Sequence, residues 1–97
     1  MTVAQQAVQG IHAAIHFSRV YKERCGEWYK NSEHLALLAV KNEEELVKLL
    51  QRAEEMAILG VEFREPDLDN QITAICLDAG EKTKKLCSQL KLALKGK

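Results

Sequence analysis

The residues best placed to do chemistry form a polar row near the start of the chain. Glutamine, histidine and arginine recur there at steps of three and four residues, so a helix would carry them on one side. The row consists of Gln5, Gln9, His12, His16, Arg19 and Glu23. Their amide, imidazole and guanidinium groups can orient a bound group by hydrogen bonds. We expect one end of this row to face whatever the protein acts on.

His12 and His16 are four residues apart, as two metal ligands on one helix would be. The HExxH pattern is missing because Ala13, Ala14 and Ile15 separate the two histidines, and no third ligand is evident from spacing. His12 could instead fix the helix against a loop by a hydrogen bond. The sequence also contains no glycine-rich phosphate loop and no dinucleotide fingerprint. We therefore predict neither a metal ion nor a cofactor.

The three cysteines, Cys25, Cys76 and Cys87, are odd in number and form no CxxC pair. This usage is typical of free thiols in a reducing compartment, and we expect a cytoplasmic protein. Cys25 has no histidine at a spacing that would make it a nucleophile. Cys76 and Cys87 lie in apolar patterns that predict small core residues.

The composition predicts one ordinary globular domain over residues 1–97. Fourteen basic residues balance fourteen acidic ones, so no overall field attracts nucleic acid or a membrane surface. Any RNA contact must come from a local patch. The sequence has no apolar run of transmembrane length and no signal-peptide pattern, so we predict no membrane association.

The polar row belongs to a first predicted helix, from Thr2 to about Arg24. Thr2 and Gln5 have the spacing of a capping box, and Gly26 is a candidate C-cap. Small and branched apolar residues recur at helical spacing and predict a buried face. They are Ala4, Ala7, Val8, Ile11, Ala14 and Ile15.

A loop is predicted next, over residues 26–34, with Trp28 and Tyr29 either anchoring it on the core or stacking on a base. Residues 35–40, LALLAV, form a short unbroken apolar run that predicts a buried strand. Such a strand needs neighbours on both sides.

The second predicted helix begins at the N-cap Asn42, with Glu45 completing a capping box, and ends near Leu59-Gly60. Its predicted buried stripe consists of Leu46, Leu49, Leu50, Ala53 and Ala57. Two strands, 61–65 and 71–78, then flank a turn of composition PDLDN and predict an antiparallel hairpin.

A last amphipathic helix is predicted over residues 81–97. Its lysine-rich face is either a basic binding patch or an ordinary solvated surface. The elements together predict an α/β fold, with a small mixed sheet of three strands packed between helices. Three strands leave the run at 35–40 short of a neighbour. We expect a homo-oligomer that forms through this unpaired sheet edge.

The opening MTVAQQAVQGIHAA resembles the first-helix signature of the type 2 peptidyl-tRNA hydrolases, with Ala7, Gln9, His12 and Ala13 at matching positions. The stretches LALLAVKNEEELVKLL, QITAICL and QLKLAL are similar to the family's second strand and following helix, its last strand and its C-terminal segment. The resemblance runs the length of the chain. It implies a mixed sheet between helices and hydrolysis, in the cytoplasm, of the ester that joins a peptide to tRNA.

The resemblance also implies site residues. Glu65 lies nearest the family's loop aspartate, and Thr73 matches the threonine of the last strand. Ester hydrolysis needs an activated water, which Glu65 would polarise, with Thr73 and either Gln9 or His12 as hydrogen-bonding partners. The neighbouring Gln5, His16 and Arg19 are the residues that would contact tRNA. Without these roles, Glu65 would be a solvated residue before a turn and Thr73 an ordinary strand residue.

Three departures from the family pattern remove groups that its site uses. The family's Asp-Leu-Lys loop would precede Met1, its Gly-Lys pair is replaced by Ala4-Gln5, and the loop after Glu65 is shorter. The missing lysines predict an enzyme of reduced activity or, as the alternative, an inactive tRNA- or protein-binding module on the same scaffold. A translation start upstream of Met1 is a further explanation, testable from the preceding DNA.

Overall fold

The computed structural model describes residues 2–31 and 36–93, and these residues form an α/β fold. The helices are α1 (Val3–Val20), α2 (Lys22–Asn31), α3 (Glu43–Glu55) and α4 (Glu81–Leu86). The strands are β1 (Leu38–Ala39), β2 (Gly60–Glu65), β3 (Gln71–Leu77) and β4 (Lys91–Leu92). The predicted fold class is confirmed, although the strands are arranged differently from the prediction.

The predicted antiparallel hairpin is confirmed as β2 and β3, which pair from Gly60 opposite Leu77 to Glu65 opposite Gln71. A single turn of 3₁₀ helix, Pro66–Leu68, connects them. Asp69 and Asn70 close the turn with φ values of 54° and 59°, a left-handed conformation that Asp and Asn tolerate better than most residues. The turn chemistry of PDLDN therefore acts as the sequence predicts.

The three-stranded mixed sheet is wrong. The described residues form two separate antiparallel sheets of two strands each, β1 with β4 and β2 with β3. Only Leu38 and Ala39 of the predicted strand 35–40 join a ladder, and they pair with Leu92 and Lys91. Residues 91–92 supply this partner. Residues 38–40 are half-buried at this short ribbon, and residues 36–37 are exposed, so the run is not central in a sheet. Residue 35 lies outside the described residues.

The first predicted helix is divided in two at Tyr21. Its φ of −121° and ψ of 61° leave the helical region, while the Cys25 N–H donates to the Tyr21 carbonyl and restarts the helical pattern. Gly26, predicted as a cap, therefore lies inside α2, and Trp28 and Tyr29 are helical rather than in a loop. Trp28 is half-buried, whereas Tyr29 is 68% exposed and does not anchor the core. Residues 32–34 of the predicted loop lie outside the described residues.

The buried face predicted for the first helix is wrong as well. Gln9, Ala13 and Phe17 are the buried residues of α1, and the predicted apolar face points outward. Val8 is 48% exposed, and the two isoleucines of that face are more so. The helix can bury a glutamine because both ends of its amide find hydrogen-bonding partners on the hairpin.

The third helix, α3, begins as predicted, with the Asn42 side chain accepting from the Glu45 N–H at 3.0 Å. It ends at Glu55, earlier than predicted, because Ala57 takes a left-handed φ of 60° and lies exposed outside the helix. Ala53 is the fully buried member of the predicted stripe.

The last predicted helix is also shorter than expected. The α4 helix ends at Leu86, and residues 91–92 are extended because they pair with β1. Residues 94–97 lie outside the described residues. The predicted amphipathic helix over 81–97 is thus confirmed at residues 81–86 and wrong at residues 87–93.

Both long helices pack on the hairpin, since α1 and α3 each contact β2 and β3. Alternate residues of β2 face opposite sides. Phe63 and Glu65 reach α1, while Gly60 approaches Leu50 of α3. The buried apolar residues lie along these two contacts: Ala13, Phe17, Ala53, Ile58, Val61 and Ile72.

Candidate functional site

Three of the residues that the sequence predicted for the site form a continuous hydrogen-bonded group. The Thr73 hydroxyl donates to Oε1 of Gln9 at 2.5 Å, and Nε2 of Gln9 donates to Oε2 of Glu65 at 3.0 Å. We call Gln9, Glu65 and Thr73 the Gln9 cluster. Gln9 and Thr73 are each 8% exposed, and Glu65 is half-buried. The cluster therefore runs from the interior to the surface and ends on a carboxylate.

Each residue of the Gln9 cluster is held by a different element. Gln9 lies in the middle of α1, Glu65 is the last residue of β2, and Thr73 lies near the start of β3. Thr73 stands between Ala74, which pairs with Phe63, and Ile72, which pairs with Arg64. It is the extra residue of a bulge, and bulges re-aim side chains. Here the irregularity accompanies a hydroxyl that reaches the glutamine of the overlying helix.

Glu65 is fixed from two directions. Its Oε2 accepts from Gln9, and its Oε1 accepts from the Asp67 N–H at 3.3 Å, which caps the 3₁₀ turn. Pro66 follows directly, and its missing backbone N–H costs nothing because the first N–H of a helix has no partner within the helix. The carboxylate is thus oriented by its own turn as well as by α1. This is the arrangement expected of a positioned base rather than of a freely rotating surface glutamate.

His12 lies beside the Gln9 cluster without a recorded hydrogen bond to it. Its ring stacks on Phe63, with ring centroids 4.5 Å apart and planes 5° from parallel. Phe63 lies two residues before Glu65, so both side chains are on the same face of β2. The His12 ring is therefore parallel to the Phe63 ring and lies against β2, the strand that ends at Glu65. Sequence reasoning missed Phe63, although the two-residue spacing from Glu65 could have indicated it.

The predicted tRNA contacts are dispersed along α1 and already make internal contacts in two cases. Gln5 forms the capping box with Thr2 at the helix start, and that prediction is confirmed. The Nδ1–H of His16 donates to the Glu62 carbonyl at 3.1 Å. Arg19 is exposed one turn further on. Of the three, Arg19 is the residue most open to a phosphate group.

The basic residue next to Glu65 in the sequence contacts other groups. The nearest arginine along the chain, Arg64, pairs with Glu62 and donates to the Asn70 carbonyl at 3.1 Å. Within residues 2–31 and 36–93, the recorded ion pairs do not include Glu65. The donors to the Glu65 carboxylate, the Gln9 amide and the Asp67 N–H, are neutral, so they supply no cation for a developing negative charge.

The cysteines lie away from the Gln9 cluster, and all three are free and half-buried. Burial raises the pKa of the Cys76 thiol to about 11, and the nearby Cys25 and Asp78 add to this increase. Burial also raises the pKa of Cys87. Both thiols are therefore protonated at neutral pH and are poor nucleophiles.

A cavity of about 320 Å³ lies at the other end of β3. Its polar side chains bond within the protein, since the Thr83 hydroxyl donates to the Asp78 carbonyl and Lys82 Nζ donates to the Met56 carbonyl, both at 2.6 Å. None of the residues predicted for the site lines it. It does not contribute to the Gln9 cluster.

The described residues contain neither a metal-ion site nor a membrane-spanning helix. No three histidine, cysteine, aspartate or glutamate residues among them are grouped so as to hold a metal ion. No helix in the same part of the chain combines the length and apolar character needed to cross a membrane.

The chain was also compared with known proteins. No protein-family model matches it, and no curated protein sequence matches it.

Proposed function

We propose that this chain is a cytoplasmic peptidyl-tRNA hydrolase-like protein that hydrolyses the ester between peptide and tRNA. The observation that carries the proposal is the direct contact of Gln9, Glu65 and Thr73. The sequence predicts all three as site residues, although 56 residues separate Gln9 from Glu65. The resemblance to type 2 peptidyl-tRNA hydrolases supplies the reaction, and the geometry of the cluster is compatible with it.

In the proposed reaction Glu65 accepts a proton from water as that water attacks the ester carbonyl. The Gln9 amide orients the carboxylate, and Thr73 fixes the amide so that its N–H points to Glu65. The ester bond breaks, the ribose oxygen takes up the proton from Glu65, and the new carboxyl group of the peptide releases the second proton of the water to solvent. The His12 ring stacks on Phe63 at the border of the site, and in this proposal it contacts the substrate. Without a neighbouring cation, the oxyanion has less stabilisation and turnover is slow.

Arg19 is the proposed phosphate contact, with Gln5 and His16 on the same side of α1. Helix residues four apart lie about 6 Å apart along the axis. The row therefore reaches only a short length of RNA backbone. RNA binding by this row alone is therefore weak. The predicted homo-oligomer, joined through the unpaired sheet edge beside the run 35–40, remains part of the proposal because β1 has one partner strand, β4, among the described residues.

The test of catalysis is release of the amino acid from N-blocked aminoacyl-tRNA by the purified chain. We expect slow release, lowered by roughly 100-fold or more in Glu65→Gln, since a general base contributes about that much. Glu62→Gln is the matched control because Glu62 lies on the same strand and pairs with Arg64 instead. Absence of release by the unaltered protein would overturn the enzymatic proposal.

The second candidate is an inactive binding module on the same scaffold. The observation that favours it is the lack of any recorded ion pair at Glu65 among the described residues. A tRNA titration at several salt concentrations separates RNA from protein partners, because phosphate contacts weaken steeply with salt. We expect Arg19→Gln to reduce the salt slope by about one contact. Undetectable tRNA binding at low salt would overturn the RNA version of this candidate.

A further inference from the structure

The outward face of α1 has features of a helix-pairing surface. Val8 is 48%, Ile11 60% and Ile15 54% exposed, and all three are β-branched. With Ala4 before them and Ser18 after them, they follow a spacing of four, three, four and three residues. That is the heptad spacing of a helix seam that faces another helix. We call Ala4, Val8, Ile11 and Ile15 the α1 seam.

The α1 seam is not needed for the fold of its own chain. The opposite side of α1 contacts β2 and β3 and buries Gln9, Ala13 and Phe17. A helix that is apolar on both sides is normally covered on both sides. The described residues cover only one.

The charge pattern of α1 limits what can cover the seam. Over Val3–Val20 the sequence contains no carboxylate, and Arg19 is the one lysine or arginine. A membrane-surface helix would need a basic polar face exposed to solvent, whereas the side of α1 opposite the seam is packed on the hairpin. A nearly neutral seam is best matched by another nearly neutral seam.

From this pattern we infer that the α1 seam pairs with the α1 seam of a second copy of the chain, with the two helices antiparallel. A two-fold axis midway between Val8 and Ile11 sets Val8 of one copy opposite Ile11 of the other. The same axis sets Ala4 opposite Ile15. Each layer then joins a larger side chain with a smaller one, and both halves of the interface are identical, as a two-fold dimer requires.

The antiparallel direction also separates the like charges. In this register the two Arg19 residues lie about 28 Å apart along the helix axis, at 1.5 Å per residue. A parallel pair would place both Arg19 side chains and both positive helix N-termini at the same end. One flank of the antiparallel pair consists of Ala7 and Ala14 from each copy, and these small residues allow close approach.

This dimer differs from association through a sheet edge, and its seam lies on the side of α1 that faces away from the buried Gln9. A single helix pair buries less than the roughly 800 Å² per partner of a standard interface, so the dimer is weak and dissociates in the micromolar range. It does not depend on the proposed enzymatic function.

The first experiment is sedimentation velocity of the full chain from about 5 to about 500 µM, the range in which weak interfaces dissociate. We expect a monomer–dimer equilibrium whose dissociation constant rises about 100-fold or more in Ile11→Glu, because two unpaired carboxylates would be buried. Leu68→Glu is the control, since Leu68 is 46% exposed in the 3₁₀ turn and lies outside the seam. Circular dichroism checks that both variants fold.

The second experiment tests the register by mixing variants. Val8→Lys mixed with Ile11→Glu should restore the dimer, because the two charges meet only in the antiparallel pairing. Ile11→Lys mixed with Ile11→Glu places the opposite charges together in a parallel pairing and should restore less.

Several outcomes would overturn the inference. A monomer at every concentration, a dimer that Ile11→Glu leaves intact, or stronger restoration in the Ile11 mixture would each do so. The intact dimer would indicate the sheet edge as the interface. Flotation of a monomeric chain with phosphatidylglycerol vesicles, abolished by Ile11→Glu, would instead assign the seam to a membrane.

Discussion

At the scale of single residues, the Gln9 cluster shows how a buried polar side chain can position a functional one. Gln9 uses its carbonyl oxygen for Thr73 and its amide nitrogen for Glu65, so the orientation of the amide is set by two partners. In residues 2–31 and 36–93, no buried side-chain nitrogen or oxygen lacks a hydrogen-bonding partner. The cluster therefore contributes to stability as well as to the proposed chemistry.

Thr73→Val tests that contribution. The valine keeps the side-chain shape but leaves the buried Oε1 of Gln9 without its donor, and we expect the free energy of unfolding to fall by about 1–2 kcal/mol. Urea unfolding followed by circular dichroism measures the change. Thr73→Ser keeps the hydroxyl and serves as the control. Equal losses in both variants would show that the hydrogen bond itself contributes nothing measurable.

The Cys76 thiol gives a prediction about pH. Its pKa is raised to about 11 in the folded protein, above the value near 9 of an exposed thiol. Above pH 9 the unfolded chain therefore loses this proton before the folded chain does, and stability falls as the pH rises toward 11. Below pH 9 the contribution is fully present. Urea unfolding at pH 8, 9 and 10 should show this decline, and Cys76→Ala should have a shallower one. An unchanged slope in the variant would contradict the assignment to Cys76.

At the scale of elements, α3 is joined to the hairpin by one specific bond at its first residue. Glu43 Oε2 accepts from the Ile72 N–H at 2.8 Å, next to the bulge at Thr73. The carboxylates of Glu43 and Glu44 both lie at the helix N-terminus, where negative charge is favourable. Only Glu43 also satisfies a backbone donor of β3.

Glu43→Ala and Glu44→Ala therefore form a matched pair. Both variants lose a favourable charge at the helix N-terminus, while Glu43→Ala also leaves the Ile72 N–H without its acceptor. We expect Glu43→Ala to be less stable than Glu44→Ala by about 1 kcal/mol or more. Thermal and urea unfolding measure both, and equal stabilities would contradict a structural role for the Glu43 bond.

The elements that were predictable from sequence are those specified locally. The capped starts of α1 and α3 and the β2–β3 hairpin follow from neighbouring residues, such as Asn42 with Glu45 and the turn at Pro66. The elements predicted wrongly depend on distant partners. Residues 91–92 are extended because β1 pairs with them. The short alternation in QLKLAL is compatible with a strand, but the four-residue spacing of Leu86, Leu90 and Leu94 favours a helix.

The same distinction applies to the site. Gln9, Glu65 and Thr73 were found because a family resemblance connects residues that are far apart in sequence. Periodicity alone predicted the wrong buried face for α1, since it assigns apolar residues to the interior and a glutamine to the surface. The partners of Gln9 on the hairpin reverse that expectation.

At the scale of the whole molecule, stability is distributed unevenly. The hairpin is packed between α1 and α3, whereas α2 has no buried residue among those described in it. An ion pair of 3.0 Å between Arg24 and Asp78 joins α2 to the residue that follows β3. Elements with few buried contacts open locally more easily than the core.

Hydrogen exchange should therefore distinguish α2 from the rest of the molecule. We expect amides of α2 to exchange roughly tenfold or more faster than those of α1 and the hairpin, because local opening costs less there. Arg24→Gln should accelerate exchange in α2 alone, and Lys22→Gln, on the same exposed helix, is its control. Uniform exchange over α1, α2 and the hairpin, measured by mass spectrometry, would contradict this division.

The pairing of β1 with β4 has a consequence for the order of folding. The strands of the hairpin are neighbours along the chain, whereas Leu38 pairs with Leu92, which is far away in the sequence. Closing so long a loop costs more chain entropy than closing a turn, so this contact forms late. During synthesis on the ribosome, β1 therefore stays without this partner until Lys91 and Leu92 have been added to the chain.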